Sequence, residues 1–146
     1  MRHPRRFVLF AACAALIAAF SAGFAGRAIA QTEYRIPAGA RCAECGMDIN
    51  PKSPFVCFAV TNSGRTLYFD EPGEMLIHIR KMKDIKEVRV KDFTTGRWTD
   101  GRSAYYVQSA QFKTPMRWNI AAFASLKDAR AKGTALPWGD AFSLLK

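Results

Sequence analysis

The spacing of apolar and polar positions changes along the chain, and each change predicts an element. Residues 55–61 (FVCFAVT) alternate and are rich in aromatic and β-branched side chains, Asn62-Ser63-Gly64 is a turn signal, and residues 66–70 resume the strand pattern. This predicts a hairpin. Asp70 stands where a helix cap is expected, and Met75, Leu76, Ile79 and Met82 recur behind it at helical spacing before Val88-Arg89-Val90 returns to strand. The order is strand, strand, helix, strand.

Beyond Thr95-Gly96 and Asp100-Gly101 the order recurs more loosely. Residues 104–109 and 119–123 read as strands, Ser125 caps a helix through Arg130, and Gly133 ends it before Ala135-Leu136-Pro137. "LYFDEPGEML" and "AAFASLKDAR" share a strand ending in an aromatic, then a cap, then a helix. The fold expected is α+β, two similar strand-strand-helix-strand units in tandem over about residues 42–95 and 100–146.

The N-terminus follows another pattern. Arg2, Arg5 and Arg6 precede an apolar run over residues 7–20, and Ala28-Ile29-Ala30 before Gln31 is a small-x-small cleavage site, so residues 1–30 read as a secretory signal removed on export. Cys13 lies too early in that run to be a lipidated cysteine, which sets a lipoprotein aside. No charge occurs between Arg6 and Arg27, so an uncleaved membrane tether stays open, as does a twin-arginine reading of Arg5-Arg6. The expected location is the periplasm.

Cleavage changes the charge balance. It removes four of the 22 basic residues and none of the 12 acidic ones, lowering the net charge from +10 to +6. The remaining lysines and arginines are scattered or in short pairs such as Arg80-Lys81, without the stripe that nucleic acid requires. A basic patch for an acidic partner stays open. No Ser-His-Asp set, paired-carboxylate signature or phosphate-cradling glycine loop is visible, so the chain reads as non-enzymatic.

The chemistry is concentrated in "RCAECGMDINP", residues 41–51. Without Cys13 the chain keeps Cys42, Cys45 and Cys57, an odd number in an oxidising compartment, so at least one thiol stays free or is a ligand. Structural zinc needs four ligands, and beyond the motif the chain after residue 30 offers only Cys57 and His78, without paired spacing. A thioredoxin-like dithiol needs a helix starting at the motif, which Gly46, Pro51 and Pro54 oppose. Thiolate and thioether select Cu(I), and Cys45 and Met47 flank a glycine that can turn both sulfurs to one ion. A redox pair of Cys42 and Cys45 remains the alternative.

The elements "CAECGMDI", "YFDEPGEML", "VRVKDFTTGRWTDGRSAYYVQSAQFKTPM" and "AAFASLKDARA", in this order, resemble the NosL family, accessory proteins of nitrous oxide reductase maturation. The resemblance implies a Cu(I) chaperone facing the periplasm, usually lipidated, that passes copper through a membrane transport and assembly complex towards an apo-cuproenzyme. It also implies a fold of two similar strand-strand-helix-strand units. By position, Cys45 and Met47 match the family's Cys-Gly-Met and Met116 its later methionine, while Cys42 is an addition that can serve as a further ligand or a disulfide partner. Arg117 stands where the family's later methionine is usually followed by glycine.

Met75, His78 and Met82 also recur at three and four residues, but Met75, Ile79 and Met82 are expected to form the helix's buried face with His78 beside it, packing rather than binding metal. Trp98, Trp118 and Trp138 are likewise expected as packing residues.

Overall fold

A computed structural model describes residues 33–146; the expected signal over residues 1–30, with Cys13, lies outside the described residues. Two antiparallel sheets and short helices make up an α+β fold. The first sheet contains β1 (Cys57–Thr61), β2 (Thr66–Phe69), β3 (Ile85–Lys91) and β4 (Trp98–Asp100) in the order β2-β1-β3-β4. The second contains β5 (Tyr105–Gln108), β6 (Ile120–Phe123) and β7 (Leu136–Pro137) in the order β6-β5-β7. Helix α1 (Pro72–Ile79) joins β2 to β3, and α2 (Leu126–Arg130) joins β6 to β7. A short α3 (Trp138–Ala141) and a 3-10 turn over Phe142–Leu144 close the chain.

In both sheets the strand that comes first in the chain is central, with the next strand on one side and the post-helix strand on the other. The first sheet has β4 in addition, an element the Thr95-Gly96 turn did not announce. Asp92 makes that turn. Its Oδ2 accepts from the Thr95 amide at 3.1 Å, and its Oδ1 accepts from the Ala124 amide at 3.1 Å, tying the β3–β4 connection to the end of β6.

The hydrophobic pattern places the core. Phe58, Leu67, Met75, Leu76, Val88 and Val90 meet Tyr106, Ile120 and Ala122 in one buried cluster, so the two sheets share apolar interior. Val107, Phe112, Phe123 and Ala129 form a second cluster under α2. Burial of side chains this size contributes about 1.5–3 kcal/mol each, far more than the intrinsic preference of an eight-residue helix. Tertiary packing therefore holds α1.

Two expected details differ. Asp70 does not cap α1: the N-cap position is Glu71, extended and making no side-chain cap hydrogen bond, with Pro72 supplying the first turn's fixed φ. Met82 lies beyond the helix, which ends at Ile79. Ser125 does cap α2, its hydroxyl accepting from the Asp128 amide at 3.4 Å. Among the described residues no helix is long and apolar enough to cross a membrane.

Candidate metal site

Residues 41–48 form a small hairpin rather than the start of a helix. Arg41 bridges Asp48, the Cys42 amide donates to the Met47 carbonyl at 2.8 Å, and the Gly46 amide donates to the Cys42 carbonyl at 2.9 Å. Gly46 makes the reversal possible with φ +73°, a left-handed conformation open to glycine. The Ala43 amide donates to the Tyr68 carbonyl at 2.8 Å, fixing the hairpin over the end of β2.

That contact sets the two hairpin cysteines above the β2–α1 corner, where three carboxylates are buried: Asp70, Glu71 and Glu74. The N-terminal end of α1, with its unpaired amides and positive dipole end, eases their burial. Cys42, Cys45, Asp70 and Glu74 each present one sulfur or oxygen atom, and these four atoms lie within 4.8 Å of one another. A single ion with metal–sulfur bonds of about 2.3 Å spans two sulfurs up to about 4.6 Å apart, so the cluster needs little contraction to share one. Asp70 Oδ1 is buried without a hydrogen-bond partner, a donor atom left over by the fold and available to a cation.

All three described cysteines are free thiols. Cys42 is buried, and burial pushes its thiol up to about 12. Its Sγ is oriented toward Glu74 Oε2 at 4.0 Å. Cys45 is half-buried, giving the pair one inner and one outer sulfur. Cys57, on β1, is held well above the ordinary thiol range by full burial, with unfavourable electrostatics from Cys42, Asp70 and Glu71 adding to it.

The methionines differ in exposure. Met47 and Met116 are the two large exposed apolar side chains of the described residues. Met47 follows Gly46 on the returning arm of the hairpin. Met116 lies in the β5–β6 connection, which two hydrogen bonds fasten to the start of α1: the Met116 amide donates to Glu71 Oε1 at 2.7 Å, and Trp118 Nε1 donates to Glu74 Oε1 at 3.0 Å. The expected ligands thus arrive from two segments, with Cys42, Cys45 and Met47 on the hairpin and Met116 on the β5–β6 connection.

Trp118 is more than a packing residue. Its ring lies where a side chain on Gly73 would stand, with Trp118 Cβ 2.3 Å from an ideal Cβ there, so the close approach requires glycine. Arg117 and Asn119 on either side have φ +64° and +55°. The residue after the methionine therefore occupies a glycine-favouring conformation, a physical reason for glycine at that place in the family.

His78 lies half-buried beside the buried Met75 and Ile79, outside the four-atom cluster. Its Nδ1 lies 2.7 Å from Glu44 Oε2 and its ring 5.4 Å from that of Phe69, so it braces the hairpin beside Cys45. Trp98 and Trp138 do pack, Trp98 donating to the Tyr34 carbonyl at 2.8 Å and Trp138 lying tilted to Tyr106 and edge-on to Phe142.

Asp70 and Glu74 were missed as donors by the sequence reading, which gave Asp70 a capping role and looked only for cysteine, histidine and methionine. The available signal was "DEPGE", three carboxylates in five positions between a strand ending in an aromatic and an apolar helix.

Comparison with curated proteins returns no match. The fold is similar to the crystal structure of the copper chaperone NosL from Shewanella denitrificans, with a TM-score of 0.66 and 20% identity over 75% of this chain and 95% of that one. The NosL family model matches residues 33–134, from before the cysteine hairpin to beyond α2. The chain belongs to the NosL family.

Proposed function

We propose that this protein is a Cu(I) chaperone of the periplasm, exported by the signal over residues 1–30, that carries copper towards an apo-cuproenzyme, nitrous oxide reductase, by way of a membrane transport and assembly complex. The carrying observation is the meeting of the Cys42 and Cys45 sulfurs with two buried carboxylates, in a chain whose fold resembles a copper chaperone. Cys45 and Cys42 bind as thiolates. Two- or three-coordinate Cu(I) asks for no rigid cage, and Met47 and Met116 offer exposed thioethers through which it can leave by ligand exchange. Asp70 and Glu74 supply negative charge that holds a cation near the sulfurs.

The redox alternative is weakened by the same geometry. The Cys42 thiol, buried and raised to about 12, is a slow nucleophile at neutral pH, so a redox cycle would have to open at the half-buried Cys45.

An anaerobic competition titration against a chromogenic Cu(I) chelator tests the reading. One tight equivalent is expected, weakened by at least about 100-fold in Cys45→Ala and about tenfold in Met47→Leu. Parent-like affinity in Cys45→Ala would overturn it.

A further inference from the structure

The end of α1 away from the cysteines carries a second feature. A cleft of about 270 Å³ opens there, with Met82, Trp138 and Phe142 among its apolar lining and Arg80, Lys83 and Arg102 among its walls. No acidic side chain lines it. Arg102 is fixed in place, its guanidinium donating to the Ile85 carbonyl at 2.6 Å and the Lys86 carbonyl at 3.3 Å. None of the three cations forms an ion pair among the described residues.

The surroundings reinforce the charge. Asp70, Glu71, Glu74 and Asp92 are buried whereas no lysine or arginine among the described residues is, so the surface is more basic than the composition suggests. Around the cleft, "RKMKDIK" over residues 80–86 sets four basic residues against one acidic.

We infer that this cleft docks an acidic peptide segment of a partner protein, with one large apolar side chain seated between flanking carboxylates. The cleft is open to solvent and larger than the roughly 150 Å³ enclosed cavity that accepts a benzene ring, so it has room for an aromatic or leucine side chain. Unpaired cations interleaved with apolar side chains match carboxylates beside such an anchor, giving both steering and register. The chain's own leader is a poor occupant, since residues 1–32 contain no acidic residue. A second copy meets like charge. A bilayer surface is served by protruding apolar groups, whereas these are recessed, and the exposed Met47 and Met116 belong to the segments around the opposite end of α1.

Helix α1 has eight residues and is about 12 Å long, and it separates the cleft at its C-terminal end from the cysteine hairpin at its start.

The test uses protein expressed from the complete sequence and recovered from the cell envelope as the cell processes it. Its binding to a fluorescein-labelled peptide, Asp-Glu-Phe-Leu-Glu-Asp, is followed by anisotropy at low ionic strength. Arg80→Glu with Lys83→Glu should weaken binding by more than about tenfold, while Lys127→Glu with Lys132→Glu, the same change in net charge on α2 and just beyond it, should have much less effect. Replacing Phe-Leu by Ser-Gly in the peptide should also abolish most binding. Should the first double variant misfold, Lys83→Glu alone serves, at a smaller expected loss. Equal losses in the two double variants, indifference to the Phe-Leu anchor, or binding to phosphatidylglycerol vesicles without binding to the peptide would each overturn the proposal. So would failure of the parent to bind the peptide at millimolar concentration.

Discussion

Trp118 Nε1 donates to Glu74 Oε1 at 3.0 Å, joining the β5–β6 connection to a carboxylate that itself faces the Cys42 sulfur. One indole thus links the methionine-bearing loop to the cysteine hairpin across the start of α1. Trp118→Phe keeps a ring beside Gly73 but leaves a buried carboxylate oxygen without its donor. Thermal unfolding should show a loss of about 1–3 kcal/mol. Unchanged stability would show the hydrogen bond to be dispensable.

Arg117 pays for a left-handed backbone that glycine adopts freely, φ +64°. Arg117→Gly relieves that strain while adding freedom to the unfolded chain, a net gain of up to about 1 kcal/mol. A melting temperature higher by a few degrees is the expected result. A lower one would mean that the arginine side chain supports the loop.

Glu71 gives the fold a pH dependence of definite sign. Burial raises its carboxyl above the ordinary 4.5, against the opposing hydrogen bonds from Thr114 and the Met116 amide. The folded state therefore holds this proton more tightly than the unfolded chain. The resulting stability is fully present below about 4.5 and is lost as pH rises through the folded value. Glu71→Gln can keep an acceptor for Met116 and place an amide where Oε2 has no partner. Its stability should fall less than the parent's between acid and neutral pH, as denaturant titrations at several pH values would reveal.

Cys42 makes a separate prediction about the metal. A thiol raised to about 12 is protonated at neutral pH, so binding through its thiolate must release a proton. Plots of log affinity for Cu(I) against pH should therefore be steeper, by one unit of slope, in the parent than in Cys42→Ser. Parallel plots would remove Cys42 from the ligand set.

Much of the fold was legible because local pattern and tertiary demand agree. The Asn62-Ser63-Gly64 turn sits between β1 and β2, Met75, Leu76 and Ile79 are buried on α1, and Ser125 caps α2. Where they disagree the reading failed. Asp70 has the chemistry of a cap, yet Glu71 occupies that position and Asp70 faces inward, because the extended approach to Pro72 shifts the helix start by one residue. β4 is three residues long, and its pairing with β3 is non-local information that no short pattern carries.

By itself the sequence determined the donor types in the hairpin and the turn that presents them: two thiols and a thioether around a glycine at residues 42–47, chemistry written in contiguous residues. Only tertiary structure decided what meets those thiols. Asp70 and Glu74 reach them through the hydrogen bond from Ala43 to the end of β2, and Trp118 arrives from more than forty residues away through the space left by Gly73. Spacing along the chain fixes neighbours of three or four residues, whereas a site assembled from a hairpin, a strand–helix corner and a distant loop exists only after the core has brought them together.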